Sequence, residues 1–381
     1  MTALLSGVRV LDLTRLLPGP LATMHMADQG AEVIKIEDPE RGDYARQDMA
    51  FGMTMSPIFH AMNRGKKSIR IDLTSENGRD SFLRLLRTAD VVVESFRPGV
   101  MDKLGLSAER LREEKGDLIL CSMSAYGQTG PRRHEPAHDN NMLALTGIAD
   151  QFPRVEGRIA PPNYQIADIA GGSLTALSAI SMALFRRERT GEGCVLDISL
   201  SDGALASAVI PFATMQMRGT PPKAGEDILT GLLPCYGYYE TKDGRQIAMG
   251  ALEPKFWLRF CEAVERMDLA SKGLAFGPEG EAAKAEVAAL FRSKTFEQWT
   301  ALLDGVDACV TPVLTLEETL EDPQIAARGM VYEAADPEDG RMRRLASPIT
   351  VDGQRAQPQA PAPRHGEHDA LLNDMAGGEP S

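Results

Sequence analysis

The sequence predicts an α/β protein in which a large domain built on a parallel sheet is joined to a small α+β domain. Apolar segments of strand length alternate with helical segments over the first 130 residues, an order that is typical of a parallel sheet with helices on both faces. The composition then changes near residue 220. With 381 residues and 43% apolar side chains, the chain is long enough for one large or two ordinary domains.

The first 130 residues supply the elements of the predicted sheet. The strand segments are short and rich in valine, isoleucine and leucine, whereas the helical segments repeat apolar residues every three or four positions. Right-handed crossovers would connect such strands. The predicted strands are 8–14, 32–39, 90–96 and 118–127, and the predicted helices are 19–31, ending at Gly30, 75–89 and 101–117.

An apolar helix is predicted at 174–189, directly after Ser173. It is apolar nearly all round, so we expect it to be buried. Its last turn carries arginines before Gly191, which fits the negative end of a helix dipole and a left-handed stop. A strand at 194–200 and a helix at about 202–217 follow.

The segment after residue 220 looks like a separate small domain. A linker-like stretch precedes a hairpin that turns at Asp243-Gly244. Predicted helices at 253–264, 279–292 and 296–304, a strand at 309–316 and a terminal helix at 369–375 complete the chain. The predicted boundaries are a large domain at 1–200 plus 330–381, connecting segments at 201–225 and 315–330, and a small domain at 226–314.

The composition argues against several classes of protein. Lys plus Arg number 41 and Asp plus Glu 54, which gives a net charge of −13, so nucleic acid is not an expected partner and an anionic ligand needs a local basic pocket. Five scattered cysteines and an N-terminus without signal-peptide features predict a reduced, cytoplasmic location. We expect no membrane span, since no apolar run approaches the required length. The six histidines show no metal-ligand spacing.

Three polar positions lie in apolar or glycine-rich surroundings, and they are the candidates for chemistry: His138, Asp168 and Glu253. The chain has no glycine-rich dinucleotide or phosphate motif and no serine-hydrolase elbow. Taken singly, each candidate has an ordinary structural explanation. A lone histidine is usually structural, and a carboxylate before a helix is often a cap or a first-turn charge.

The succession of motifs nevertheless resembles the class III CoA-transferase superfamily, and within it the α-methylacyl-CoA racemases. The resemblance spans essentially the whole chain, and the order of the motifs is more specific than any one of them. The segments that carry it are LSGVRVLDL, PGPLATM, GAEVIKIEDP, NRGKKSIRIDL, VVVESFRPGV, YGQTGP, HDNNMLALTGI, IADIAGGSL, MGALEPKFW and CVTPVLTLEE.

This resemblance implies an isomerase acting on 2-methylacyl-CoA thioesters, with His138 and Asp168 as proton carriers on opposite faces of the substrate Cα. Glu253 would orient and charge the histidine. Racemisation at a thioester needs one acid and one base that exchange roles, and these two side chains can serve without a metal or a cofactor, since CoA is part of the substrate. The Asp168 stretch, at a helix start, is also expected to supply an amide donor for the enolate oxygen.

The family resemblance also implies a Rossmann-like large domain, an inserted small domain and an interlocked homodimer in which Glu253 faces His138 across subunits. Candidate CoA contacts are Arg41, Lys66, Lys67, Arg97, Asp139 and Gly171. The chain departs from the racemases at Asp38, where a basic residue is usual and Arg41 is expected to substitute, and at Met142, where a tyrosine is common.

Two other functions stay open on the sequence. A class III CoA-transferase would use Asp168 as a nucleophile, forming an anhydride and then an aspartyl-CoA thioester. A non-catalytic CoA-binding protein would bind CoA without turnover. The acyl chain is not specified, and bile-acid, branched fatty-acid and aryl-propionyl thioesters all remain candidates.

Overall fold

The computed structural model describes residues 3–46 and 55–374. The strands are β1 (Arg9–Leu13), β2 (Glu32–Glu37), β3 (Lys67–Arg70), β4 (Val91–Glu94), β5 (Ile119–Ser124), β6 (Arg154–Val155), β7 (Arg158–Ile159), β8 (Cys194–Ser199), β9 (Tyr236–Glu240), β10 (Gln246–Gly250), β11 (Val310–Pro312), β12 (Val331–Asp336), β13 (Gly340–Leu345), β14 (Thr350–Val351) and β15 (Gln354–Arg355).

The helices separate and follow these strands. They are α1 (Pro18–Asp28), α2 (Pro57–Asn63), α3 (Glu76–Leu86), α4 (Val100–Lys103), α5 (Ala108–Glu114), α6 (Asp139–Leu145), α7 (Thr175–Thr190), α8 (Leu200–Ser207), α9 (Val209–Arg218), α10 (Pro254–Ala263), α11 (Gly277–Phe291), α12 (Phe296–Leu303), α13 (Leu316–Glu321), α14 (Pro323–Ala327) and α15 (Leu371–Asp374).

The predicted α/β class is confirmed by a six-stranded sheet in the order β3-β2-β1-β4-β5-β8. Every neighbouring pair in this sheet is parallel. The chain runs outward from β1 to β3, returns to β4 beside β1, and then runs outward the other way. The strand order therefore reverses between β1 and β4, and ligands of such sheets bind beyond the carboxyl ends of the strands at this point.

The loop after β1 folds back tightly before α1 begins. A Cβ atom on Gly19 would lie 2.3 Å from Thr14 Cβ, so only glycine permits this approach. Pro18 stands at the start of α1, where its missing N–H has no cost and its fixed φ suits a helix. The sequence Pro-Gly-Pro thus places residues 14–17 at the carboxyl edge of the sheet.

A π-helical segment, Ala167–Leu174, leads directly into α7. Such segments are rare and occur frequently at functional sites. The backbone of this segment packs directly against the backbone of α8. A Cβ atom on Gly171 would lie 2.4 Å from the Leu200 carbonyl oxygen, and one on Gly203 would lie 2.3 Å from the Gly171 carbonyl oxygen. Helix packing therefore explains why Gly171 is a glycine.

The expectation that the helix at 174–189 is buried all round is wrong. Ile180 and Leu184 are buried, but Met182 and Phe185 are 67% and 66% exposed. The continuous helix Ala167–Thr190 has 24 residues and is apolar enough to pass a length-and-composition test for a membrane span. The expectation that no segment approaches this length is corrected accordingly. Core helices of soluble proteins pass the same test, so one such helix is weak evidence.

The described residues group into two units by their contacts. The first is drawn from Met1–Ala149, Pro162–Ser207 and Pro323–Ser381, and the second from Asp150–Pro161 and Ala208–Asp322. Residues 150–161, predicted to lie in the large domain, group with the second unit, as do residues 208–225, predicted to be part of a connecting segment. The single helix predicted at 202–217 is two helices, α8 and α9, separated at Ala208, the residue at which the second unit begins again.

The second unit contains an antiparallel sheet, β11-β10-β9, covered by α10, α11 and α12. The hairpin turns at Asp243-Gly244 as predicted, with Gly244 at φ +78°. Five buried aromatic side chains contribute to its core, with the ring centroids of neighbouring pairs 4.8 to 5.7 Å apart, and such pairs add to the free energy of burial. They are Tyr239, Trp257, Phe260, Phe291 and Trp299.

The hairpin β12–β13 in the Pro-rich C-terminal region was not predicted from the sequence, and neither were β3 and α6. The single helix predicted at 101–117 is two helices, α4 and α5, which are separated at Gly105, where φ is +72°. The terminal helix was predicted to reach residue 375, which lies outside the described residues.

Candidate active site

A cavity of about 460 Å³ opens at the carboxyl edge of the parallel sheet, where the strand order reverses. Its walls come from the residues that directly follow β1, β4 and β5, from the start of α6 and from the π-helical segment. His138 and Asp168 both line it, together with Arg15, Tyr44 and Arg97. All its lining residues belong to the first unit. The fold thus brings together two of the three predicted catalytic residues.

The backbone of Asp168 is tied to the segment that carries His138. Asp139 is buried, and its Oδ1 accepts a hydrogen bond of 3.0 Å from the Asp168 backbone N–H. The His138 N–H donates to Asn141 Oδ1 over 3.0 Å, which satisfies a backbone group at the start of α6. Asp139 was predicted to contact CoA. In the structure its carboxylate binds the Asp168 backbone and so fixes Asp168 relative to the neighbouring His138.

The same contacts correct the expected oxyanion donor. The Asp168 N–H is occupied by Asp139, and the Ile169 N–H donates to the Gln165 carbonyl oxygen over 2.9 Å. Neither amide is available to a substrate oxygen. Gly171, predicted to contact CoA, is buried at the crossing with α8 and does not line the cavity.

The Asp168 carboxyl is suited to exchanging a proton near neutral pH. Burial raises its pKa to about 6, the neighbouring Asp139 carboxylate contributes to the rise, and His138 opposes it. A group whose pKa lies near the working pH is present in both protonation states and can act as base or acid.

Replacing Asp139 by asparagine is expected to lower the pKa of Asp168, because it removes a like charge that raises it. The Asp168 signal in a ¹³C NMR titration of labelled protein, and the acid limb of any pH–rate profile, should move below about 6. Asp80→Asn, at an exposed site on α3, is the matched control and should leave both unchanged. An Asp168 titration that stays in place or moves upward would show that Asp139 does not act on it electrostatically.

The predicted phosphate contacts have different outcomes in the structure. Arg97 lines the cavity and is exposed, so its role stays a prediction with a suitable location. Arg41 is exposed in a turn that Asp38 caps, with Asp38 Oδ1 accepting the Arg41 N–H over 2.9 Å. Lys67 pairs with Glu32 at a partly exposed site. Neither Arg41 nor Lys67 lines the cavity, and their roles stay predictions.

The prediction is wrong for Lys66, because its side chain has no exposed surface. Its Nζ donates to Asp12 Oδ2, to Asn63 Oδ1 and to the Pro20 carbonyl oxygen, each over 2.9 Å. Burial lowers the pKa of Lys66 to about 8, while the Asp12 carboxylate opposes this. The ammonium group is therefore held by contacts inside the protein and cannot reach a phosphate.

Arg15 and Tyr44 were missed by the sequence analysis. Arg15 Nη1 donates to the Tyr44 hydroxyl over 3.0 Å, and its guanidinium lies 5.2 Å from the Tyr44 ring centroid and 5.7 Å from that of Phe96. A usable signal was present: Arg15 follows the first strand of a parallel sheet, and residues at that position line ligand sites.

A buried carboxyl lies behind the cavity wall at the end of β4. Glu94 is 4% exposed, and its Oε2 accepts the Phe96 N–H over 2.7 Å. Burial raises the pKa of Glu94 to about 7, with Asp102 and Asp197 contributing and hydrogen bonds from Ser122 and Phe96 opposing.

Glu94→Gln is expected to stabilise the protein increasingly as pH rises. A raised folded-state pKa means that the folded state binds the proton more tightly, so the wild type loses stability between the ordinary glutamate pKa and about 7. The difference in unfolding free energy between variant and wild type should grow by on the order of 3 kcal/mol from pH 4.5 to pH 8. Denaturant titrations at both pH values measure it, with exposed Glu113→Gln as control. A difference that is independent of pH would contradict the assignment.

A second polar group lies apart from this cavity. His60 Nε2 is 3.1 Å from Asp339 Oδ2, and His60 Nδ1 is 3.4 Å from Asp336 Oδ2. The three potential ligand atoms lie within 4.8 Å of one another, a grouping that sequence spacing did not predict because its members come from distant parts of the chain. Each imidazole nitrogen faces a different carboxylate.

Comparison with known proteins places this site in a family. The model of CoA-transferase family III matches residues 5–369. The chain belongs to CoA-transferase family III. The cavity at the carboxyl edge of the sheet, with its histidine, aspartate and arginines, therefore lies in a chain that belongs to an enzyme family.

Relatives of this family III protein include both racemases and transferases. The chain is 37% identical to the alpha-methylacyl-CoA racemase of Mus musculus over 319 residues, which cover 83% of this chain and 79% of the mouse protein. It is 33% identical to the succinyl-CoA:mesaconate CoA-transferase of Haloarcula marismortui, covering 98% and 96% of the two chains. The crystal structure of Rv3272 from M. tuberculosis has a TM-score of 0.83 at 31% identity, covering 97% of this chain and 99% of that one.

Glu253, the third predicted catalytic residue, lies in the second unit of this family III chain. It is exposed and directly precedes α10, whose first residue is Pro254. The interlocked homodimer, with Glu253 reaching the partner's site, stays a prediction.

Proposed function

We propose that this family III enzyme racemises 2-methylacyl-CoA thioesters by transferring a proton at Cα through an enolate. The observation that supports this most is the placement of His138 and Asp168 on one cavity, with the pKa of Asp168 raised to about 6. The likeness to named α-methylacyl-CoA racemases over four-fifths of the chain supports it further.

In this mechanism, one carrier removes the Cα proton and the other delivers a proton to the opposite face. In one direction the Asp168 carboxylate is the base and protonated His138 is the acid, and in the other direction their roles reverse. Restoring the starting state needs only exchange with solvent, so no cofactor is required beyond the CoA that the substrate carries. A cytoplasmic homodimer in which the partner's Glu253 charges His138 completes the proposal.

The test is epimerisation of one pure substrate epimer. A single epimer of 2-methyldecanoyl-CoA is incubated with the protein, without any acceptor acid, and the two epimers are separated by chiral chromatography. We expect a near-equal mixture, because the two epimers of a substrate with one free stereocentre differ little in free energy. An epimer that stays pure across bile-acid, branched fatty-acid and aryl-propionyl thioesters would end the racemase proposal.

The second candidate function is CoA transfer, with Asp168 as nucleophile. The transferases among the relatives cover 96% or more of this chain at 33–34% identity, which favours this alternative. In that reaction Asp168 attacks the thioester carbonyl, CoA leaves as a thiolate, and an acyl-aspartyl anhydride forms. CoA then attacks the aspartyl carbonyl and releases the acid. Hydroxylamine would trap Asp168 as a hydroxamate only in this case, and CoA would move to an added acid.

A further inference from the structure

A fully buried ion pair clamps together two segments that reach the cavity. Lys35 and Asp43 have no exposed side-chain surface, and Lys35 Nζ lies 2.8 Å from Asp43 Oδ2. The same Nζ donates to the Thr14 carbonyl oxygen over 2.8 Å. Asp43 Oδ1 accepts the N–H groups of Leu16 over 3.1 Å and of Ala45 over 3.0 Å. The clamp therefore fixes residues 14–16 against residues 43–45.

The clamp holds backbone in a conformation that it would not adopt freely. Leu16 has φ +64°, which is uncommon for a residue with a γ-branched side chain. Strained backbone of this kind persists where surrounding contacts determine it, and it occurs mainly at binding and catalytic sites. Its consequence here is that the intervening Arg15 is directed toward Tyr44, with its own N–H donating to Ser95 Oγ over 3.3 Å.

The arginine so placed lacks a compensating charge. None of the ion pairs formed within residues 3–46 and 55–374 involves Arg15 or Arg97, although both line the cavity. The whole chain carries a net charge of −13, whereas this cavity is lined by two guanidinium groups that form no ion pair among the described residues. A guanidinium presents a fork of N–H donors that matches carboxylate and phosphate groups.

We propose that Arg15 and Tyr44 form an oxyanion-binding subsite of the cavity, and that Lys35 is the positioning residue that keeps this subsite assembled through Asp43. The inference rests on the proposed function for its first source of an oxyanion, a phosphate group of the CoA that the substrate carries. The second source with the same chemistry is the carboxylate of a free acid bound beside CoA, which only the transferase alternative would use.

The first experiment measures equilibrium binding by calorimetry, without any turnover. Wild type, Arg15→Ala and Arg15→Lys are titrated with free CoA, and then, saturated with CoA, with 2-methylbutyrate. Arg112→Ala, at an exposed site on α5 outside the cavity, is the matched control. If a phosphate is bound, Arg15→Ala weakens CoA binding at least tenfold and Arg15→Lys recovers part of it. If a carboxylate is bound, CoA affinity is retained and affinity for the acid falls.

Equal affinities of Arg15→Ala and Arg112→Ala in both titrations would overturn the proposal. That outcome differs from failure of the proposed function, in which the wild type binds CoA but leaves a pure substrate epimer unchanged. Tyr44→Phe should weaken binding of the same ligand severalfold, because it removes the hydroxyl that accepts a hydrogen bond from Arg15.

The positioning role of Lys35 needs a variant that keeps the fold. Asp43→Asn retains the shape of the side chain and an Oδ1 acceptor for Leu16 and Ala45, but it removes the charge that pairs with Lys35. We expect it to weaken binding of the ligand that depends on Arg15 severalfold. The double variant Asp43→Asn with Arg15→Ala should bind that ligand no more weakly than Arg15→Ala alone. Fully additive losses in this double-mutant cycle would show that the clamp does not act through Arg15.

Discussion

Asp168→Asn is expected to reduce the rate of epimerisation of a 2-methylacyl-CoA at least about 10³-fold, because a general acid or base typically contributes about 10²–10⁴-fold to a rate. Asparagine keeps the size of the side chain and the backbone contact to Asp139, but it cannot take or give the proton. His138→Ala should have an effect of similar size, because each direction of the reaction uses both carriers. The double variant should be little worse than either single one, since residues that act as a unit are not additive.

The measurement for these variants is the initial rate of epimerisation from each epimer, with CoA binding measured in parallel. Asp80→Asn, exposed on α3, controls for the loss of a carboxylate elsewhere and should keep the wild-type rate. His138→Ala also separates the two functions, since a transferase that uses Asp168 as nucleophile need not depend on the histidine. Retention of epimerisation by either carrier variant would remove that residue from the mechanism.

Lys66→Met is expected to lower the free energy of unfolding by about 3–5 kcal/mol, the cost of removing one partner of a buried ion pair. The Asp12 carboxylate would stay buried with only the hydroxyls of Thr14 and Thr23 and the Thr14 N–H as donors. The neighbouring Lys67 offers a matched control. Its ammonium pairs with Glu32 where both side chains are about one-third exposed, so Lys67→Met should cost less than about 1 kcal/mol.

Urea denaturation of the two methionine variants gives this comparison directly. It also checks the reassignment of Lys66 from phosphate binding to the interior of the sheet. Equal destabilisation by the two substitutions would contradict the buried pair. A loss of CoA affinity in a Lys66→Met protein that is as stable as the wild type would restore the original assignment.

Local sequence patterns were sufficient to predict the parallel sheet. Strands such as Val91–Glu94 are buried along their whole length and read as continuous apolar runs, as strands covered on both faces do. The hairpin at 236–250 was predictable because an Asp-Gly turn separates two strand-like segments. In both cases the signal lies within a few neighbouring residues.

The remaining errors concern properties that depend on residues far apart in the sequence. Lys66 and Lys67 are adjacent lysines that follow Gly65, and contacts with distant residues such as Asp12 decide that one is buried and the other partly exposed. The exposure of Phe185 on an apolar helix depends on what packs beside it. Arg15 follows a predicted strand, but the strand order was needed to show that the end of β1 lies at the reversal point.

The candidate site was predictable in part, through the resemblance more than through local chemistry. His138 and Asp168 had ordinary structural explanations when taken singly, and the ordered motifs indicated a shared role. The structure adds their common cavity and the Asp139 link. It also removes the Asp168 and Ile169 amides from consideration as donors to the enolate oxygen.

The central claim is that this chain moves a proton at the substrate Cα. The most direct test incubates each pure 2-methylacyl-CoA epimer in D₂O with wild-type protein and no acceptor acid, and follows deuterium at Cα by mass spectrometry and NMR. The account predicts that one deuterium enters at Cα as the epimers interconvert, and that Asp168→Asn and His138→Ala abolish interconversion. Thioesters that keep their Cα hydrogen in this incubation would contradict the account, and CoA that moves to an acid added in a parallel incubation would establish the transferase alternative.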